Sequence, residues 1–179
     1  MSGTWKPPLF EPIPARPFVS AVFDDPDAYL TVKKDLAREF GPIDYETPSF
    51  SSKGLTSLYG GAARSRIRFL SFERMVGLDE LVDMRKKTLG IEVKRQEKGR
   101  PLIELDPGYV SEYTVVRTAL EEDFHRIYLF HGIFAEILYY QDKGLYQPLS
   151  HTPTFFRQKD VITMFNDLNV IRSSNSSRR

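Results

Sequence analysis

Residues 18–42 read FVSAVFDDPDAYLTVKKDLAREFGP, and the punctuation of this stretch sets the fold class. The first six residues are short-run and mostly apolar, which fits a strand. Asp25 then offers a helix N-cap, and Pro26 takes the first helical position, where a missing N–H costs nothing. Tyr29, Val32, Leu36 and Phe40 recur at spacings of three and four, so they share one helical face. Gly41-Pro42 stops the helix.

Downstream, residues 43–50 alternate weakly and are interrupted by Pro48, the mark of an edge strand. A glycine- and serine-rich loop runs to Gly61. RSRIRFLSFE at 64–73 is a clearer strand, with Ile67 and Phe69 on one side and Arg64, Arg66 and Arg68 on the other. Leu78, Leu81, Val82, Leu89 and Val93 mark a second helix, weakened by Gly90 and ended at Lys98-Gly99. A short strand at 102–105 leads into Asp106-Pro107-Gly108, a turn signature. The order strand, helix, strand, strand, helix, strand is the split βαβ arrangement. The expected fold is therefore α+β, a ferredoxin-like βαββαβ core with one antiparallel sheet.

Beyond the core, 113–120 reads as a short helix or turn. The runs 126–130, 133–140 and 145–149 form a C-terminal β-meander of two hairpins, turning at His131-Gly132 and Asp142-Lys143-Gly144. Val161, Ile162, Phe165 and Leu168 give a terminal helix. Upstream, five prolines within the first 17 residues describe an extended arm over 1–16. A single domain is expected over 17–170, and the serine-rich basic residues 171–179 read as a disordered tail.

Composition narrows the classes. With 179 residues, 41% hydrophobic and 13% aromatic, the chain is too apolar for disorder and long enough for one core. A net charge of +1 argues against a protein that coats nucleic acid, while permitting a local basic patch. No apolar run approaches the ~18 residues of a membrane span, and the first residues lack a signal-peptide core. The absence of cysteine excludes disulfides, thiolate metal sites and cysteine nucleophiles, and fits a cytoplasmic setting. Phosphate loops of the GxxxxGK[ST] kind, GxGxxG turns and GxSxG elbows are all missing.

The chemistry-bearing stretch is HRIYLFHGIFAEILYY, residues 125–140. A two-residue turn at His131-Gly132 places Ile127 opposite Glu136, and puts His125, Ile127 and Leu129 on one face with Phe134, Glu136 and Leu138. Glu136 is the only acid on that face, so His125 or Arg126 is its expected partner. A carboxylate beside an imidazole suits proton transfer; equally, such a pair can simply hold a sheet together. The Asp106–Gly108 turn could aim Asp106, the Gly108 N–H and Tyr109 at a small or anionic ligand, with Arg126 gripping the anion. Candidate acid–base residues are thus His125, Glu136 and Asp106, and candidate ligand contacts are Arg126, Gly108, Tyr109, Arg66 and Arg68. His131 lacks zinc-helix spacing and His151 reads as a loop residue, so neither a metal nor a cofactor is expected. The alternative function is a non-catalytic interaction module, its arginine strand and aromatic hairpins docking an RNA or protein partner. Whether the chain is an enzyme, and its oligomeric state, stay open.

SFERM (71–75), LDPGYV (105–110), HRIYL (125–129) and GIFAE (132–136), in this order and spacing, resemble the domain-of-unknown-function 4416 family over roughly residues 17–149. The resemblance implies no activity; some members carry a GTP-binding label, for which this chain has no common phosphate loop. Relative to the family pattern, Glu121 replaces a basic residue and Glu104 an asparagine, and the segment after Leu149 is shortened.

Overall fold

In the computed structural model, which describes residues 9–60 and 63–176, the strand opening the quoted stretch, β1 (Arg16–Phe23), lies near the middle of the sheet, and every one of its residues is buried. Helix α1 (Pro26–Phe40) follows. The Asp25 carboxylate accepts the Asp27 N–H (2.9 Å), Tyr29, Val32, Leu36 and Phe40 are buried, and Gly41 ends the helix at φ +93°. Strands β2 (Ile43–Glu46) and β3 (Phe50–Ser51) flank Pro48, and both pair with β4 (Arg66–Phe72). A 3₁₀ turn (Leu78–Glu80) precedes α2 (Leu81–Lys94), and a small hairpin, β5 (Gln96–Glu97) and β6 (Arg100–Pro101), follows it. Then come β7 (Glu104–Val110), β8 (Thr114–Ala119), β9 (Arg126–Phe130), β10 (Ile133–Asp142) and β11 (Leu145–Pro148). A second 3₁₀ turn (Thr154–Arg157) and α3 (Lys159–Ser176) close the chain.

Nine strands make one sheet in the order β11-β10-β8-β7-β1-β4-β2, with β3 on β4 and β9 on β10. All the pairings among the described residues are antiparallel. The fold is mixed α+β with three layers. Val19, Ala21, Leu70 and Leu105 pack against α1 and α2, while Phe18, Val22, Phe69 and Tyr139 pack against α3 and the second 3₁₀ turn. Alternation along each strand delivers side chains to both layers.

Several sequence expectations are corrected. Residues 114–119 form a strand rather than a short helix or turn, filling the place between β7 and β10. Asp106-Pro107-Gly108 is no turn either; β7 runs straight through it. Pro107 stands opposite Val19 of β1, and the β8 register begins only at Gly108, so the proline has a backbone partner strand on one side alone. Gly108 is needed for close approach: a Cβ there would stand 2.3 Å from the Val116 carbonyl oxygen and 2.4 Å from the Phe18 ring. The buried face of α2 is Leu81, Met84, Arg85, Thr88, Ile91 and Glu92, leaving Val93 exposed, because an internal ion pair occupies positions that apolar periodicity skips. Helix α3 extends to Ser176, into the stretch read as a tail; residues 177–179 and 1–8 lie outside the described residues.

Candidate functional site

Two bulges build the site. On β9, Ile133 faces Phe130 but Phe134 faces Tyr128, so Leu129 is an extra residue. His131 (φ +52°) and Gly132 (φ +75°) still make the expected two-residue turn. The extra residue re-phases the strand, and Arg126, not Ile127, stands opposite Glu136. On β10, the register against β8 shifts between Ile137 and Tyr139, leaving Leu138 as the extra residue. The Ile137 carbonyl accepts from His151 Nε2 (2.8 Å) and the Leu138 carbonyl from Thr152 Oγ1 (2.6 Å), which pins the 149–157 segment over the sheet.

Under that segment sits a chain of charges. Glu136, buried at 1% exposure, accepts from Arg117 Nε (2.6 Å) through Oε2 and from His125 Nε2 (2.7 Å) through Oε1. Arg126 Nε lies 3.6 Å from the same Oε1. Arg117 Nη1 reaches on to Asp106 (3.3 Å), whose other oxygen accepts from Thr118 Oγ1 (2.6 Å). The Phe156 ring covers the Arg117 guanidinium at 5.2 Å. His151 stacks on His125, ring centroids 4.2 Å apart and planes 21° apart, while Phe124 meets the same imidazole edge-on.

The two carboxylates share one arginine unequally. Burial pushes the Asp106 carboxyl up, and its longer contact with Arg117, with help from Thr118, does not offset this. Burial acts upward on Glu136 too, but Arg117, then His125 and Arg126, hold that carboxyl below the ordinary range. Glu136 therefore stays ionised and acts as an acceptor only. It follows that the His125 proton sits on Nε2 in the neutral ring, leaving Nδ1 with a lone pair. That Nδ1 is buried without a hydrogen bond, 3.7 Å from Asp123 Oδ1. Arg126 donates Nη1 to the Glu121 carbonyl (3.0 Å), and its buried Nε makes no hydrogen bond.

Of the sequence candidates, Asp106, His125, Arg126 and Glu136 are joined through Arg117 into one network, with Asp106 separated from the imidazole by two residues, Arg117 and Glu136. The others lie elsewhere. Gly108 is a strand residue beneath Phe18, and Tyr109 packs on the α1–α2 side, where burial pushes its phenol up. Arg68 pairs with Glu46 (2.8 Å) and lies 5.1 Å from the Tyr29 ring, two strands away from β7; Arg66 is exposed on the same strand. Arg64 is paired with Glu104 (2.8 Å). Sequence reading missed Arg117 and His151. The β-branched density of TVVRTA at 114–119 is the signal that could have placed Arg117 on a strand. Nothing local marks His151, whose position depends on a bulge in another strand.

Among the described residues no group of His, Cys, Asp and Glu is arranged to hold a metal ion, and no helix is long and apolar enough to cross a membrane. In comparison with known proteins, the model of a family described as a domain of unknown function, DUF4416, matches residues 13–171. No curated protein and no solved structure matches the chain.

Proposed function

We propose, for a chain that belongs to the DUF4416 family, that the His125–Arg126–Glu136 edge binds a small anionic ligand and exchanges a proton with it. The reading is carried by two buried nitrogens without a hydrogen-bond partner among the described residues, His125 Nδ1 and Arg126 Nε. Their side chains converge on the same Glu136 oxygen, His125 through its Nε2 and Arg126 through Nε itself. Unpaired buried polar groups are costly; an anionic ligand oxygen accepts from Arg126 Nε, and His125 Nδ1 is satisfied either by accepting from a ligand O–H or, once protonated, by donating to the anion. In this scheme Arg126 holds the anion and His125 Nδ1 takes or gives the proton. Glu136 fixes the tautomer and balances the imidazolium, while Asp106 and Arg117 hold Glu136 in place. The strand order β7-β1-β4-β2, with α1 and α2 packed on one face, supports a ferredoxin-like split βαβ core as the scaffold.

The test is NMR of the imidazole ring signals during titration with inorganic phosphate, sulfate, acetate and citrate. A saturable His125 shift with at least one of them, lost in Arg126→Gln, is expected. Absence of a saturable shift with all four anions, or one unchanged in the variant, rejects the site.

A second reading, docking of a protein partner, draws on β9, whose Ile127 (63% exposed), Tyr128 and Phe130 (58% each) sit on a strand that, among the described residues, is paired on one edge only. Strand addition is the mode such an edge invites. An RNA partner has less behind it, because Arg64 and Arg68 are already neutralised by Glu104 and Glu46.

A further inference from the structure

On the α2 side, a cavity of about 620 Å³ opens between α2, the β5–β6 hairpin and the segment carrying Tyr59. That volume falls within the range of small-molecule sites, roughly 300–1,000 Å³. Its two buried carboxylates are already engaged. Glu104 accepts from Ser57 Oγ, the Leu58 N–H and Arg64, and Glu92 accepts from the Tyr59 hydroxyl and the Leu105 N–H, with Arg85 3.4 Å away. Each is neutralised by its own arginine, so neither charge awaits a ligand.

Two opposite charges on the wall remain uncommitted. Asp24 accepts the Ser65 N–H and hydroxyl (2.8 Å each) through Oδ1 alone, and among the described residues Oδ2 has no hydrogen-bond partner and no cation lies within ion-pair distance. Arg64 and Arg66 favour its charged form from further off. The Arg100 side chain, also on the wall, has no hydrogen bond or ion pair among the described residues, and the Gln96 side-chain amide on the same hairpin is likewise unused. The lining also carries apolar surface: Leu89 and Val93 lie one helical turn apart, and Val93 is 65% exposed although large and aliphatic. The Tyr59 ring adds an aromatic wall, held by its hydroxyl between Glu92 and Arg85.

We infer that this cavity binds a zwitterion with an apolar body, of the amino-acid or dipeptide class. Its ammonium group sits on Asp24 Oδ2, its carboxylate on Arg100 and Gln96, and its side chains lie against Leu89, Val93 and Tyr59. A pure anion would leave Asp24 facing it with like charge, and a pure cation would meet Arg100. The site is separate from the His125 network, which lies on the α3 side of the sheet.

The experiment is calorimetric titration of the full chain with L-leucyl-L-phenylalanine, its N-acetyl form, its C-terminal amide, and free leucine and phenylalanine. The uncapped dipeptide or a free amino acid is expected to bind. Each capped form should bind at least about tenfold more weakly than the uncapped dipeptide. Asp24→Asn should reduce the zwitterion to the level of the N-acetyl form, and Arg100→Gln to that of the amide, whereas Arg126→Gln should change nothing. Circular dichroism melts establish that the variants fold, and the two substitutions on separate elements keep the inference testable if one does not. No heat from any zwitterion up to about 10 mM, or capped forms binding as well as the uncapped dipeptide, overturns it.

Discussion

At the scale of single residues, Glu136 and Asp106 are two buried acids served by one arginine, and their environments push them in opposite directions. Glu136 binds its proton less tightly in the folded chain than in the unfolded one. Its contribution to stability is therefore full above the ordinary carboxylate range and is lost as pH falls through the lowered folded value. Asp106 has the reverse sign: its folded value is raised, so its contribution is greatest in acid and fades as pH rises through that value. Glu136→Gln is expected to destabilise the protein at neutral pH by about 3–5 kcal/mol, because Arg117 and Arg126 then lose the carboxylate that balances them. Asp106→Asn, relieved of an unfavourable buried charge, should cost under about 1.5 kcal/mol. Urea melts of both variants would measure this. The gap between wild type and Glu136→Gln should also narrow as pH falls below the ordinary carboxylate range of about 4. Equal costs for the two substitutions would contradict the unequal sharing of Arg117.

Among the elements, those whose local chemistry agrees with their surroundings were legible in sequence. In α1, the Asp25 cap, Pro26 and an unbroken apolar face all point the same way, and each stands as read. Asp25→Ala should therefore cost about 0.5–2 kcal/mol in thermal melts, with no change in the His125 ring signals, since α1 lies across the sheet from them. Where a long-range contact overrides local preference, the reading failed. Pro107-Gly108 carries turn residues, yet Phe18 and the Val116 carbonyl occupy the space beside Gly108 and keep the segment extended. In α2, Arg85 and Glu92 pair with each other inside the protein, so apolar spacing indicated the wrong face. The candidate site divides the same way. The closeness of His125 and Glu136 followed from one hairpin turn, whereas Arg117 and His151 arrive from β8 and the post-β11 segment. The register itself was misread by one residue, because no residue type announces the bulge at Leu129.

For the whole molecule, the sheet has an α-helical layer on each face, and the second layer comes entirely from the C-terminal quarter of the chain. Phe155, Phe156, Val161, Phe165 and Leu168 cover Phe18, Phe69 and Tyr139, with Phe18 and Phe165 rings 5.1 Å apart. Phe-to-Ala changes in such a core cost about 3–5 kcal/mol each, comparable with the whole stability of many domains. A chain cut before Thr154 should lose its cooperative urea transition and its near-ultraviolet dichroism; retention of both would show that the α1–α2 layer and sheet stand alone. The same layer roofs the charged network, since Phe156 lies over Arg117 and His151 over His125. Leu129 has a consequence at this scale as well. Were Leu129 paired into the ladder instead of left out of it, the hairpin would mesh one notch along and present Ile127, not Arg126, to Glu136. A single-codon deletion there would straighten the ribbon yet leave Arg126 abreast of Glu136, so the cationic grip outlasts the loss of the residue that kinks the strand.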